Sequence, residues 1–279
     1  MKEGGNATFE TVNPPLKWHP SGGKAYLAKR IVALFPKHTT YCEPFAGGLS
    51  VLLAKDYEGI SEVANDLDGD LMNFWRCLRD EDTFARLQRK LEATPFNELD
   101  WVASLAMVDA PPADDVVRAW GFFVRCRQSL AGRMESFAPL SRSRVRRGMN
   151  EQASAWLSAI EGLPAVHARL KRVVTLNRPA LELIRTQDHP DCLFYVDSPY
   201  FPSTRTAKEV YRHEMTEIDH VELLATILEV KAKVAISGYQ CPLYDAKLAD
   251  WNRHDFEIGN HSASGATKRR MIESVWTNF

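Results

Sequence analysis

The chain of 279 residues is 45% hydrophobic and 25% charged, a composition typical of a soluble globular protein and not of a disordered one. No stretch approaches the roughly 20 apolar residues of a membrane span, and the first residues lack the apolar core of a signal peptide. The five cysteines are scattered without a C-x-x-C pair, which predicts a cytoplasmic protein and argues against a disulfide scaffold or a zinc site. Neither a membrane nor an obligate protein partner is indicated.

Short apolar runs alternate with helical patterns in the first part of the chain. They predict a strand at 39–45, a helix at 48–57, a strand at 61–66 and a helix at 71–80. The long region that follows contains no convincing strand. Its apolar residues recur at helical spacing, most clearly at 114–130 and 150–170.

From residue 173 the alternation of strands and helices resumes. The predicted elements are strands at 173–178, 192–198, 233–239 and 273–279, with helices at 179–187 and 216–230. Strands that alternate with helices imply a mostly parallel sheet covered on both faces. We therefore predict an α/β fold of the Rossmann-like type in two parts, residues 1–72 and 171–279, with a helical insertion at residues 73–170.

A glycine-rich turn, Glu43-Pro-Phe-Ala-Gly-Gly48, follows the first predicted strand. Glycines there allow a ligand to approach the backbone closely, although a simple tight turn would have the same composition. Asp66 ends the next strand 19 residues after Gly47, a spacing at which an acid meets ribose hydroxyls. Ligands of parallel sheets bind at the carboxyl ends of the strands, where Asp197 ends a third strand.

The motifs that are missing narrow the choice of ligand. The turn lacks the third glycine of the dinucleotide motif G-x-G-x-x-G, and no phosphate-binding loop of the form G-x-x-x-x-G-K-[ST] occurs. The expected ligand therefore contains a ribose but no pyrophosphate. S-adenosylmethionine fits that description.

The strand at 192–198 runs into Asp197-Ser-Pro-Tyr200, which suits an exocyclic amine of a nucleobase. The lone pair of such an amine is delocalised into the ring, so two acceptors on its N–H groups would make it a better nucleophile. The predicted acceptors are the Asp197 carboxylate and the Ser198 carbonyl. Pro199 would stiffen the turn, and an exposed Tyr200 ring would stack on the base. A polar turn in which Tyr200 merely packs is the alternative.

Six motifs in this order, LKWHPSGGK, EPFAGG, NDLD, DSPY, ISGYQCPLYD and ESVWTNF, resemble the Dam-like DNA adenine-N6 methyltransferases over nearly the whole chain. The resemblance implies metal-free methyl transfer from S-adenosylmethionine to a flipped adenine in duplex DNA, with the insertion as target-recognition domain. Asp197 and Tyr200 would hold the adenine, and Lys24 would meet either the methionine carboxylate or DNA. The implied cofactor-binding residues are Trp18, Lys24, Glu43, Pro44, Phe45, Gly47, Gly48, Asp66 and Asp197.

Two positions depart from the family pattern. The family reads D-P-P-Y, whereas this chain has Ser198 at the second position. Because that position would act through its carbonyl, we expect serine to preserve the contact with less rigidity and activity to survive. The motif KWHPSGGK is longer than the usual K-W-x-G-G-K, which affects the alignment of Lys17 and Trp18 more than that of Lys24.

The net charge of −1 conceals an arginine-dense segment, with seven arginines and one acid between Arg125 and Arg147. A solvated charged face is the usual structure of such a segment, but this one lies in the insertion, where the family has its DNA-reading elements. Arginine grips phosphates and reads guanine in the major groove. The predicted base contacts are Arg125, Arg127, Gln128 and Arg133, and the predicted phosphate contacts are Arg142, Arg144, Arg146 and Arg147.

Three alternative functions remain open on the sequence. Cytosine N4 presents a similar amine to the same pair of acceptors, and the substrate could be RNA instead of DNA. A DNA-binding protein that has lost catalysis is the third alternative, for which Ser198 would be a mark of decay.

Overall fold

The computed structural model describes residues 12–16, 24–204, 212–258 and 271–279. Within these residues, the strands form one seven-stranded sheet and one two-stranded hairpin. The strands are β1 Thr40–Glu43, β2 Ser61–Asn65, β3 Val145–Arg146, β4 Met149–Asn150, β5 Val173–Leu176, β6 Cys192–Val196, β7 Lys233–Gly238, β8 Asn252–Ile258 and β9 Met271–Thr277.

The large sheet has the strand order β5-β2-β1-β6-β7-β9-β8. Its neighbouring strands are parallel, except that β9 runs antiparallel to both β7 and β8. The order reverses between β1 and β6, because the chain adds β2 and β5 on one side of β1 and β6 and β7 on the other. This arrangement confirms the predicted Rossmann-like α/β fold. Sheets of this kind bind ligands at the carboxyl ends of the strands where the order reverses.

Several of the helices begin at a residue whose side chain caps them. Asp68 accepts from the backbone N–H groups of Asp70 and Leu71 at the start of one helix, and Thr216 and Asp219 form a capping box at another. The helices are α1 Ala28–Val32, α2 Ser50–Ala54, α3 Gly69–Arg79, α4 Glu81–Glu92, α5 Glu98–Asp109, α6 Asp115–Gln128, α7 Glu151–Glu161, α8 Leu163–Leu170, α9 Ala180–Thr186, α10 Glu217–Glu229 and α11 Pro242–Lys247.

The two faces of the sheet carry separate cores. On one face, Tyr41 and Tyr195 of the sheet share a buried cluster with Phe74, Phe123 and Trp156 of the helical region. The insertion between β2 and β5 is therefore a helical layer that shares its core with the sheet. Helices α9, α10 and α11 cover the other face. The exact domain boundaries stay a prediction.

The expectation that the insertion lacks strands is wrong at one place. Strands β3 and β4 form an antiparallel hairpin, and the two residues of its turn, Arg147 and Gly148, have φ of 56° and 74°. Positive φ at both central residues is the requirement of a type I′ turn, which glycine meets at no steric cost. A two-residue strand carries too little apolar alternation to be visible in the sequence.

Three findings concern disulfides, membrane-spanning helices and groups that could hold a metal ion. All five cysteines are buried, and none forms a disulfide. No helix in the part of the chain that the structure describes combines the length and the hydropathy needed to cross a membrane. Among the same residues, no group of three or more His, Cys, Asp or Glu side chains is arranged to hold a metal ion.

Candidate active site

Three adjacent strands end at the rim where the sheet order reverses. Strand β2 ends at Asn65 and leads into Asp66, β1 ends at Glu43 and leads into the glycine turn, and β6 leads into Asp197. Because β1 pairs with both β2 and β6, these ends are neighbours. The structure therefore brings together three motifs that lie far apart in the sequence.

Groups from β2 and α3 hold the glycine turn in place. Gly47 has a φ of 45°, and its N–H donates to Asp66 Oδ2 at 3.0 Å. The Gly47 carbonyl accepts from the indole N–H of Trp75 at 3.1 Å. The two predicted cofactor residues, Gly47 and Asp66, thus contact each other directly.

Asn65 is a supporting residue that the sequence reasoning missed. Its buried side-chain amide donates to the carbonyl of Pro44 at 2.9 Å and to that of Arg178 at 3.0 Å. It also accepts from the N–H of Arg178 at 2.9 Å. The amide therefore fixes the turns that follow β1 and β5 to the end of β2. Its place in the NDLD motif was the only signal.

Asp66 is half-buried beside an exposed apolar side chain. Its second carboxylate oxygen accepts from the N–H of Asp68 at 3.0 Å. Burial raises the pKa of Asp66 above its ordinary value, although the backbone donors of Asp68 and Gly47 act in the opposite direction. Leu67, the next residue, is 51% exposed. A carboxylate and an apolar surface thus stand side by side at the rim.

The other predicted cofactor residues differ in position. Phe45 packs against the core formed with α9, α10 and α11, whereas Gly48 is half-buried in the turn. Glu43 is buried and accepts from the Tyr41 hydroxyl at 2.7 Å. Its side chain lies in the core under the turn, and its part in cofactor binding stays a prediction. Trp18 lies outside the described residues.

The turn after β6 presents one carboxylate and hides the aromatic ring. The Asp197 side chain is 27% exposed, whereas Ser198 is buried and Pro199 half-buried. Tyr200 is only 8% exposed, so the prediction of an exposed ring is wrong. The physical reason is that the Tyr200 hydroxyl donates to Glu273 Oε1 at 2.6 Å inside the protein.

Lys24 joins the catalytic turn to β9. Its buried ammonium lies 3.0 Å from Asp197 Oδ1 and 2.7 Å from Glu273 Oε1, and it donates to the Tyr200 hydroxyl. Burial alone would lower the pKa of Lys24, but the carboxylates of Asp197 and Glu273 raise it well above its ordinary value. Lys24 is therefore a permanent cation in contact with the turn. Glu273 was missed by the sequence reasoning, although it lies in the closing motif ESVWTNF.

Comparison with known families provides the interpretation of this rim. Residues 21–101 match the model of the D12 class N6 adenine-specific DNA methyltransferases. The matched segment contains Lys24, the glycine turn and Asp66. This segment is therefore similar to the D12 class methyltransferases. This match confirms the resemblance to the Dam-like family that the motifs indicated.

Two solved structures align with most of this chain at low similarity. A SAM-dependent methyltransferase from Agrobacterium tumefaciens aligns with a TM-score of 0.37 and 12% identity over 91% of this chain and 59% of its own chain. The chain thus spans less than two thirds of that protein. A Pyrococcus horikoshii protein described as a "putative RNA methyltransferase" aligns with a TM-score of 0.32 and 9% identity over 91% and 77%. A search of curated proteins found no match.

A second charged cluster lies at the start of α3. Asp70 accepts from Arg118 Nε at 2.5 Å and from Arg212 Nη1 at 2.5 Å, and Arg212 also lies 3.3 Å from Asp68. Burial of Asp70 acts in the opposite direction, but these two guanidinium groups hold its pKa below the ordinary value. The cluster therefore ties the segment at Arg212 to the helix that follows the acidic motif.

Two of the predicted base contacts are buried in the helical layer. Arg125 is 5% exposed and donates to the carbonyl of Ser104 at 2.8 Å. Gln128 is fully buried, accepts from the N–H of Asn97 at 2.9 Å and donates to the carbonyl of Pro95 at 3.1 Å. This corrects the prediction that Arg125 and Gln128 reach bases, because their polar groups are bound to backbone inside the layer.

The remaining arginines of the segment differ in burial and in their partners. Arg127 is half-buried and donates to the carbonyl of Ala155 at 2.9 Å. Arg147 makes two bonds to the Glu161 carboxylate, at 2.9 and 2.8 Å, which anchor the hairpin turn to α7. Besides Arg147, the exposed arginines at or near the hairpin are Arg133, Arg142, Arg144 and Arg146, of which Arg144 lies 3.7 Å from Glu151.

Proposed function

We propose that this protein transfers a methyl group from S-adenosylmethionine to the N6 amine of an adenine in duplex DNA. The observation that carries the proposal is the adjacency of Asp66, the glycine turn and Asp197 at neighbouring strand ends. The D12 match over residues 21–101 supports the same assignment, because it spans the first two of these features.

The residues at the rim fit the proposed cofactor. Each carboxylate oxygen of Asp66 accepts one backbone N–H at 3.0 Å, which leaves a lone pair on each for the ribose hydroxyls. The exposed Leu67 would provide an apolar surface for the adenine ring of the cofactor. When bound, the cofactor supplies a methyl group that its sulfonium already activates. The protein is then required to position the two reactants and to stabilise charge.

Asp197 is the proposed acceptor for the target amine. Lys24 contacts Oδ1 of this carboxylate, and the second oxygen would accept one N–H of the adenine while the Ser198 carbonyl accepts the other. In methyl transfer the amine nitrogen would become positively charged as its bond to the methyl carbon forms and the bond from that carbon to sulfur breaks, which leaves S-adenosylhomocysteine. The adjacent Asp197 carboxylate would stabilise that charge until the nitrogen releases a proton to solvent.

Stacking of the base on Tyr200 requires that the ring be uncovered. The Tyr200 ring meets the Tyr239 ring edge-on, with centroids 4.7 Å apart and an interplanar angle of 73°. We propose that Tyr239, half-buried just after β7, moves aside when a flipped base enters. The energy needed for flipping is a few kcal/mol, which base stacking of roughly 1–3 kcal/mol would partly offset.

The hairpin of β3 and β4 is the proposed DNA-binding element. Two-stranded ribbons fit the major groove, and exposed arginines on such a ribbon can bind phosphates and guanine. Arg142, Arg144 and Arg146 are exposed around this hairpin. Arg133, which is exposed on the segment that precedes the hairpin, and Arg127 are the remaining proposed base contacts.

The proposal is tested by mass spectrometry of nucleosides after incubation of unmethylated duplex DNA with the protein and S-adenosylmethionine. We expect N6-methyladenine from the parent protein and from the surface control Asp250→Asn, and none from Asp197→Asn. N4-methylcytosine would overturn the base assignment. Cofactor binding without any methylated DNA base would overturn the DNA assignment and direct the test to RNA, and absence of cofactor binding would leave a DNA-binding protein without catalysis.

A further inference from the structure

Strand β9 places one carboxyl group among the groups of the catalytic turn. Glu273 is 1% exposed, and its Oε1 lies 2.7 Å from Lys24 Nζ and 2.6 Å from the Tyr200 hydroxyl. We infer that Glu273 is a positioning residue for the methyl transfer. It binds the Lys24 ammonium that Asp197 also contacts, and it fixes the Tyr200 ring through a hydrogen bond. The inference rests on the proposed function and names a residue that this function does not itself require.

Glu273 alters what Lys24 does to the catalytic carboxylate. An ammonium with Asp197 as its sole partner would neutralise that carboxylate and hold it in one closed ion pair. The ammonium instead lies closer to Glu273, at 2.7 Å, than to Asp197, at 3.0 Å. Its positive charge is therefore shared, and Asp197 remains an effective acceptor for an amine N–H.

The local charge also favours the reaction. When both carboxylates are ionised, the cluster of Lys24, Asp197 and Glu273 is negative by one unit. Burial raises the pKa of Glu273, and the Lys24 ammonium and the Tyr200 hydroxyl act in the opposite direction. A nitrogen that becomes positive during methyl transfer is stabilised by such a cluster, and buried charges act strongly because little water screens them. Without the charge of Glu273 the cluster would be neutral.

Glu273 also fixes the ring of the catalytic turn. The Tyr200 hydroxyl donates to Glu273 and accepts from Lys24, so two groups from outside the turn hold one end of the ring. The ring face that a base would use is then set by β9 as well as by the turn itself. A distant strand therefore determines the geometry of the DSPY motif.

Glu273→Gln keeps the shape of the side chain and removes its charge. Single-turnover methylation of duplex DNA should slow by about 10- to 100-fold, while the affinity for S-adenosylmethionine should stay within about twofold, because Glu273 acts on the methyl-transfer step. Glu273→Asp should recover part of the rate, and the surface control Glu229→Gln should match the parent. An unchanged rate for Glu273→Gln in an active parent would overturn the inference and leave the proposed function standing.

A double substitution tests whether Glu273 acts through Lys24. Lys24→Met leaves the buried Glu273 without its cation and should lower the melting temperature, whereas Lys24→Met with Glu273→Gln should melt higher than Lys24→Met alone. In the Lys24→Met background, Glu273→Gln should slow methylation by less than it does in the parent, because only the charge of Glu273 and its bond to Tyr200 are then lost. Additive effects on the rate and on melting would contradict the coupling. An inactive parent would instead reject the proposed function, and the inference with it.

Discussion

Charged side chains behave differently at the rim of the sheet and in the helical insertion. At the rim, Lys24, Asp197 and Glu273 come from distant parts of the chain and meet at bonding distance. In the insertion, arginines of one dense segment differ in burial: Arg125 is buried in the layer and Arg146 is exposed on the hairpin. The comparison shows that the partner and the burial of a charge determine its role, and that local density of charge does not.

The largest expected effect concerns the buried arginine of the insertion. Arg125→Met removes a guanidinium that donates to the Ser104 carbonyl at 2.8 Å and lies 3.8 Å from Asp70. We expect the free energy of unfolding, measured by urea denaturation, to fall by about 3 kcal/mol. The exposed Arg142→Met should change it by less than about 0.5 kcal/mol. Equal stability of the two variants would remove the distinction between buried and exposed arginines.

The second prediction concerns the carboxyl group under the glycine turn. Burial raises the pKa of Glu43 to about 8, although the Tyr41 hydrogen bond acts in the opposite direction. The folded protein therefore keeps a proton that the unfolded chain releases above its ordinary pKa of 4.5. This contribution to stability is complete at low pH and is lost as the pH rises towards 8.

Glu43→Gln replaces the protonated acid with a neutral amide of the same shape. The variant should lack this decline and be more stable than the parent at pH 8.5 by about 2 to 4 kcal/mol. Denaturation series at several pH values provide the measurement. Glu229→Gln, at an exposed site, should follow the parent, and a Glu43→Gln variant with the parent's pH dependence would show that Glu43 is ionised in the fold.

Most strands of the sheet could be predicted from the sequence, because β1, β2, β6 and β7 are short apolar runs bounded by turn residues. Their parallel order also predicted that Asp66 and Asp197 end on one rim. The identity of the third partner could not be predicted, since Glu273 reaches the site through an antiparallel strand whose register with β7 is a tertiary property. The burial of Tyr200 follows from that same register.

Burial was also the missing information in the insertion. A helical pattern of apolar residues predicted α6, but Arg125 and Gln128 lie on the same helix, and their carbonyl partners come from α5 and from the segment before it. No local pattern distinguishes an arginine bound to backbone from one that faces solvent. The short hairpin of β3 and β4 could not be predicted from the sequence, because a two-residue strand has no periodicity.

The third prediction returns to the rim and concerns the exposed residue beside Asp66. Leu67 is 51% exposed, so Leu67→Ala should leave the stability of the cofactor-free protein within about 0.5 kcal/mol. Loss of its apolar contact should weaken S-adenosylmethionine binding by about tenfold, equivalent to about 1.4 kcal/mol. Titration calorimetry measures the affinity. Val174→Ala, an exposed apolar residue of β5, is the matched control, and equal affinities would place the adenine ring elsewhere.

The smallest expected effects distinguish two adjacent arginines on the hairpin. Arg146 is exposed, so Arg146→Ala should lower the magnitude of the salt slope of DNA binding by about one phosphate contact. Arg147 is already bound to Glu161 at 2.8 Å, so Arg147→Ala should change the slope by less. Fluorescence anisotropy at several salt concentrations measures both.

Glu161→Gln weakens the pair without removing the arginine, and it should leave the slope unchanged if Arg147 only anchors the turn. A steeper slope for Glu161→Gln would show that Arg147, once released from Glu161, binds phosphate. Arg147 would then belong with Arg146 among the DNA-binding arginines and not among the structural ones.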